Sequence, residues 1–316
     1  MAKKFDLEAY KSSIKTADTP LKKDKYIVLD ECLQEVLGLP GFPFGHVVQV
    51  FGKSDTSKTS LLFEAAAKCQ AQGGMAVIIV TEGKISWERA AAMGFNKAAA
   101  IVNEDCEFLE DVFSFIDKIC SDVANGDLPY DTYIFFDSIG NTLSKEEVVI
   151  AADGTYTKKP SMMRAAKVIS ENMRGLSKKI NNTRKQSYPH FVGLFLINQA
   201  YVSPPSFPGG MPSLTPYGGT SVYYRSSLVI RTSRAKKLMA KKNGMDLGFG
   251  IVAKISVDKN HISNTTNSGL FVVTADSIIP NEKNAIAAYK NLHKEEWGNI
   301  EIVAKALDSD EADVDF

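Results

Sequence analysis

Neither sign of charge is in excess: 37 lysines and arginines stand against 37 aspartates and glutamates, a formal net charge of +0 at pH 7. No overall basic field announces a nucleic acid, so any such site has to come from local clustering. Cysteine is scarce. Cys32, Cys69, Cys106 and Cys120 are scattered with no C-x-x-C pair, which fits reduced thiols and argues against a disulfide framework or a zinc site. Long apolar runs are missing too: none approaches the roughly 20 residues needed to cross a bilayer, and the opening MAKKFDLEAYKSS is polar. A soluble, cytoplasmic chain with no membrane partner is expected. What is present is ordinary globular composition, 44% hydrophobic and 23% charged over 316 residues, enough for two domains or for one large α/β domain with appendages.

One stretch organises the rest. In GHVVQVFGKSDTSKTS, from Gly45 to Ser60, the run Val47, Val48, Val50 and Phe51 reads as a strand buried on both faces, and Leu61, Leu62, Phe63 and the alanines after them begin a helix. Between them Gly52, Lys58 and Thr59 fall at G-x-x-x-x-x-K-T. A strand, a tight loop and a helix N-terminus gather backbone N–H groups around one anion, the physical basis of a phosphate-binding loop. Ser57 departs from the pattern, standing where a second glycine is expected. Here Gly52 and Ser54, Asp55, Thr56 and Ser57 form the loop, Lys58 reaches the β/γ-phosphates, Thr59 offers a hydroxyl to Mg²⁺, and Ser60 follows in the first helical turn. A Ser/Thr-rich turn before a helix is the alternative.

Three further buried strands are read at Met75–Val80, Tyr133–Phe136 and Phe191–Ile197, with helices at Trp87–Met93, Leu109–Val123 and Met162–Ile180 and a short strand near Ala99–Val102. Strands alternating with helices imply a parallel sheet with ligands at its carboxyl edge. The strands end in polar residues, Glu82, Asp137 and Gln199, which would gather beside the loop. Each has an alternative as a helix cap. Phosphoryl transfer needs a held Mg²⁺ and an oriented water, so Asp137 suits the metal and Glu82 the base, while Gln199 suits contact with a γ-phosphate.

These segments, from about Leu29 to Ile278, resemble the RecA-type recombinases, closest in style to their short bacteriophage members of the UvsX type. LDECLQEVLGLPGFPFGHVVQVFG is similar to the family's lead into its phosphate loop, VIIVTE to the strand ending in its glutamate, YIFFDS to its aspartate strand and LFLINQ to the strand ending in its glutamine. The resemblance implies a RecA-like ATPase core with a mostly parallel sheet flanked by helices (29–280), a short N-terminal arm at the protomer interface (1–28), and a small helical extension with an acidic tail (281–316). It implies ATP and Mg²⁺, filaments on single-stranded DNA, pairing with double-stranded DNA, a single-strand-binding or mediator partner, and a phage-encoded origin in a prokaryotic cytoplasm.

It also carries residues over. A first DNA loop corresponds to Gly154–Met163, with Met162 as an apolar wedge and Lys167, Ser170 and Arg174 at backbone-contacting positions. Independently, those three share one helical face. A solvated charged face is the alternative. A second loop, Ala200–Gly219, is rich in Pro, Gly and Ser, lacks Lys and Arg, and is expected to be irregular. Phe207 lies near its wedge position and Gly218-Gly219 match a glycine pair that approaches phosphate. Arg231 and Lys254 match a secondary DNA site, and the hairpin RAKKLMAKKNG adds Lys236, Lys237, Lys241 and Lys242. Lys259 matches the first of two lysines that reach a neighbour's nucleotide, and His261 replaces the second. Arg89 takes the place of an adenine-stacking tyrosine, with Trp87 close by. From Asn281 to Leu307 there is room for one or two helices. The end, DSDEADVDF, reads as a disordered acidic tail that either competes for a basic DNA surface, docks a partner protein through Phe316, or serves only solubility. A non-catalytic mediator paralogue and a ring helicase of the same core remain as other readings.

Overall fold

The structure, a computed structural model, describes residues 6–7, 9–10, 20–150, 156–158, 162–203, 213–295 and 300–306. Most of the N-terminal arm, part of the first loop, Phe207 and the acidic tail lie outside them.

Chain order begins with β1 (Tyr26–Val28), α1 (Glu31–Leu37), β2 (Gly41–Pro43), β3 (Val47–Gly52), α2 (Lys58–Ala71), β4 (Met75–Val80), α3 (Trp87–Ala92), β5 (Ile101–Asn103), α4 (Leu109–Asn125) and β6 (Thr132–Asp137). It continues with β7 (Val148–Ile150), β8 (Tyr156–Lys158), α5 (Met162–Asn182), β9 (Val192–Ser203), β10 (Ser213–Pro216), α6 (Ser221–Arg225), β11 (Leu228–Lys242) and β12 (Met245–Asn260). The last elements are β13 (Ser268–Val273), β14 (Ile278–Ile279), α7 (Glu282–Leu292) and β15 (Ile300–Ala306).

Eleven strands form one sheet whose main path runs β14-β13-β12-β11-β3-β9-β6-β4-β5. From β11 to β5 every neighbouring pair is parallel, while β12, β13 and β14 add an antiparallel flank. The parallel strands are apolar on both faces because helices cover both. Val48, Val50, Ile78, Phe135 and Phe195 join α1 and α2 in one core. Their neighbours Val47, Val77, Ile79, Ile134 and Leu194 join α4 and α5 in the other. A one-residue slip of any strand would exchange the two sets, so the register is strongly determined.

Two stretches differ from expectation, and a third carries a strand pairing that the sequence did not announce. The second loop, expected to have no regular element, is partly strand: β9 runs on to Ser203 and pairs antiparallel with β10, Ala200 opposite Pro216 and Ser203 opposite Ser213. Backbone pairing there overrides the turn-like composition. In the first loop, β8 pairs antiparallel with β7, and Met162 opens α5, its side chain lying outside the described residues. Among the described residues of the C-terminal extension there is one α-helix, α7. Ile300–Ala306 form a strand, β15, lying antiparallel along β11 from Lys236 opposite Ala306 to Lys242 opposite Ile300, because the alternation of Ile300, Ile302 and Ala304 matches an open sheet edge rather than a helical face. The basic hairpin does form, with Asn243 and Gly244 at φ 52° and 78° between the paired Lys242 and Met245, the left-handed pair that a two-residue hairpin turn requires.

Candidate nucleotide site and nucleic-acid interface

The carboxyl edge of β3, β4, β6 and β9 opens into a cleft of about 410 Å³ lined by Ser54, Asp55, Lys58, Thr59, Glu82, Arg89, Asp137 and Gln199, with Lys84, Ser86 and Ser138 among its further walls. Its volume falls in the range of small-molecule sites. Gly52 ends β3 where a Cβ would lie 2.3 Å from Thr232 O, so no larger residue lets the loop turn against β11. Thr56 faces away from the cleft, and its Oγ1 meets Thr232 Oγ1 at 2.8 Å. Ser57 sits at φ 74°, ψ 15°, the left-handed conformation that costs a side chain about 1–2 kcal/mol and glycine nothing. Its hydroxyl is buried with no hydrogen-bond partner.

Lys58 is 8% exposed and donates from Nζ to Gly52 O at 3.1 Å and Lys53 O at 2.5 Å. Thr59 Oγ1 donates to Asp137 Oδ2 at 2.8 Å. Burial pushes the Asp137 carboxyl up to about 6, Thr59's hydrogen bond lowers it, Glu82's charge adds to the rise, and Lys58 opposes it. Glu82 accepts hydrogen bonds from Ser138 Oγ and Asn141 Nδ2, and from Gln199 Nε2 at 3.4 Å. The Asp137–Ser138 peptide bond is cis.

These groups suit a magnesium-bound nucleoside triphosphate. A hydroxyl and a carboxylate are hard oxygen ligands, and Mg²⁺ is usually held by one or two such groups plus phosphate and water. Among the described residues no cluster of three or more His, Cys, Asp or Glu could hold a metal without that help. Ser57's orphaned hydroxyl, in the loop's left-handed turn, is a buried polar atom still lacking a partner. Arg89 reaches from α3 to the same helix, donating from one guanidinium NH₂ to Ser60 Oγ at 2.7 Å and to Thr274 O at 3.2 Å, so desolvation lowers its pKa. Trp87 lies outside the cleft. It stacks on Phe95 at 6.2 Å between centroids and donates from its indole to Glu104 Oε1 at 3.0 Å.

The expected DNA-facing residues fall into groups. On α5, Lys167 and Arg174 are exposed and Ser170 half-buried, on the face away from Ile169, Met173 and Leu176 in the core. Gly218 and Gly219, at φ 79° and 77°, press onto this helix, a Cβ on Gly218 falling 2.6 Å from Ile169 Cδ1. Tyr217 just before them is clamped to the cleft: its N–H donates to Gln199 O at 2.9 Å and its carbonyl accepts from Asn198 Nδ2 at 2.9 Å. Arg231 and Lys254 lie on the adjoining strands β11 and β12, with Arg231 Nε 3.5 Å from Asp258 Oδ1. Lys236 pairs with Glu282 at 2.7 Å. Lys259 does not project from the surface. It is 9% exposed, and its ammonium donates to Tyr223 O at 2.9 Å and Tyr224 O at 3.3 Å. His261 is exposed.

Ser138 and Asn198 stand at strand tips read from the sequence but had no role assigned, and Asn141 and Thr232 were not singled out. The first three adjoin recognised strand tips, a signal that was available. Thr232 is 176 positions from its partner Thr56, and no local pattern announces it.

Comparison with known proteins agrees with this architecture. A family model described as the RecA N-terminal domain matches residues 19–275. Protein RecA of Latilactobacillus sakei subsp. sakei (strain 23K) is 28% identical over 231 residues, 73% of this chain and 58% of that protein. Protein RecA of Limosilactobacillus reuteri (strain DSM 20016) is 26% identical over 231 residues, again 73% of this chain and 57% of its own length. Protein RecA of Ureaplasma parvum serovar 3 (strain ATCC 27815) is 23% identical over 264 residues, covering 79% and 72%. The chain therefore spans less than two thirds of the first two relatives. With the match running from ahead of β1 to just past β13 and enclosing the whole cleft, the chain belongs to the RecA N-terminal domain family.

Proposed function

We propose that this chain is an ATP-dependent recombinase core that assembles on single-stranded DNA, hydrolyses ATP and promotes homologous pairing and strand exchange with double-stranded DNA. The observation that carries the reading is the continuity from Glu82 through Gln199 to Tyr217, which ties a nucleotide-type cleft to the hairpin beside the α5 cationic face. Residues 29–280 form the core in this reading, with 1–28 as an arm to a neighbour.

Within the cleft, Lys58 would exchange its carbonyl partners for β/γ-phosphate oxygens, and Thr59 and Asp137 would hold Mg²⁺, which when bound neutralises phosphate charge. Glu82 Oε1 would orient the attacking water and take its proton. Gln199 can answer the γ-phosphate only by leaving Glu82, and its backbone bond to Tyr217 then carries the change toward the DNA side. Ser54 to Ser57 would present backbone amides, and Arg89 would border the base. Lys259 would act on a neighbour's nucleotide once released from the Tyr223 and Tyr224 carbonyls, with His261 beside it.

The test is ATP turnover with and without single-stranded DNA, joined to electron microscopy of the assemblies. Stimulated turnover and helical filaments are expected. Rings would favour a helicase. Nucleotide binding without turnover would favour a mediator paralogue, a reading that the left-handed Ser57 and the inward Lys259 support.

A further inference from the structure

Lysines on this surface are repeatedly matched with acids: Lys25 with Asp131, Lys97 with Glu104, Lys118 with Asp122 and Lys179 with Asp117. A second cleft gathers cations that have no such match. Between the C-terminal half of α5, α6 and the start of β3 lies a cavity of about 480 Å³ into which Arg174, Lys178 and Arg225 converge, with His46, Asn181 and Tyr224 around them and no aspartate or glutamate in the lining. None of the three cations makes an ion pair among the described residues. Arg174 and Lys178 stand four apart on one helical face, where like charges repel. Arg225 adds a third from across the cleft. Lys179, next in sequence, turns to the opposite side and binds Asp117 at 2.5 Å.

His46 does not relieve the excess. Its Nδ1 meets Ser227 Oγ at 2.9 Å, and burial together with the charge of Arg184 pushes it down to about 4. Arg184 is itself matched by Asp24 at 3.1 Å. The cleft is thus open to solvent, its polar lining made of cations, amides and hydroxyls, with an aromatic rim in Tyr224, which is 70% exposed.

The geometry points to a phosphate subsite for a nucleic-acid strand in this cleft, with Arg174, Lys178 and Arg225 as the anion ligands, Asn181 as an amide donor and Tyr224 as a face for a base or sugar. Guanidinium forks and an ammonium suit phosphate oxygens, and an aromatic at the mouth suits a single strand. The cavity exceeds one inorganic phosphate. The site carries the cationic face of α5 past Arg174 toward α6, and it rests on the DNA-binding reading above.

The test uses the full chain with ATP, Mg²⁺ and a fluorescent oligothymidylate, read as the salt dependence of binding. The double variant Lys178→Gln/Arg225→Gln should lose affinity and flatten the log K against log salt slope by about 1.4, at roughly 0.7 per phosphate contact on a single strand. Lys179→Gln should leave the slope unchanged. If the double variant keeps the parent slope, or if Lys179→Gln flattens it equally, the subsite is overturned. An unchanged slope with weakened ATP binding would assign the phosphate to a free nucleotide and overturn the strand reading. A parent protein that fails to bind the oligonucleotide at any salt would sink the proposed function instead.

Discussion

Gln199 Nε2 lies 3.4 Å from Glu82 Oε1, so the amide of one strand tip occupies the carboxylate of another. In the proposed mechanism Gln199 answers a phosphate by leaving the Glu82 carboxylate, which gives two separable phenotypes. Glu82→Gln should retain nucleotide and DNA while slowing turnover by about 10² or more. Gln199→Ala should keep ATP binding but leave DNA affinity the same with ATP as without nucleotide. Steady-state turnover and nucleotide-dependent DNA titrations check both, and loss of nucleotide binding in Glu82→Gln would make that residue structural.

Lys58→Ala should abolish hydrolysis and ATP-dependent assembly, because it removes a nearly buried ammonium from the floor of the cleft. Normal turnover would refute the phosphate-loop assignment.

Ser57 combines a left-handed backbone with an orphaned hydroxyl. Ser57→Gly should raise stability by about 1 kcal/mol, read as a higher urea midpoint at unchanged slope. Ser57→Val should lower it, since β-branching suits that conformation least. Equal midpoints for the three proteins would show that the turn bears no strain.

Two buried groups give stability opposite dependences on pH. His46 is held down to about 4, below its unfolded value near 6.5, so the stability it confers when neutral is lost as pH falls from about 6.5 to 4. Over that span the loss is about 3 kcal/mol. Asp137 is held up to about 6 without metal, so its contribution is complete at low pH and declines as pH rises from about 4 to 6. The two slopes offset in the parent. In Mg²⁺-free buffer, His46→Gln should make stability fall more steeply with rising pH, and Asp137→Asn should make it rise. Parallel curves for parent and variants would contradict both shifts.

The parallel core was legible because its strands are short apolar runs ending in polar residues, and both helix-covered faces leave that pattern in the chain. The cleft was legible for the same reason, its members being strand tips. What escaped depends on partners far away in sequence. The β9–β10 hairpin was hidden by a Pro/Gly-rich composition that describes its connection better than its stem. The strand β15 needed the open edge of β11 to choose extended chain over helix. Lys259 was read outward by resemblance, whereas the carbonyls of Tyr223 and Tyr224 bring it home.

The Thr56–Thr232 hydroxyl pair fastens the phosphate loop to β11, and β11 does not stop there. It runs on to Lys242 with β12 on one side and β15 on the other, about ten residues at ~3.3 Å each, or roughly 33 Å. The strands are bonded side by side, with register shifts at Arg234/Lys236 and Leu238/Met239 that curve the ladder, and the ladder leaves the loop as a projecting arm. A tilt of ~5° there, from any rearrangement that accompanies nucleotide exchange, would carry the Asn243-Gly244 tip about 3 Å on this length. In the proposed function the tip of the basic hairpin would thus move farther than Ser57 and Lys58 do.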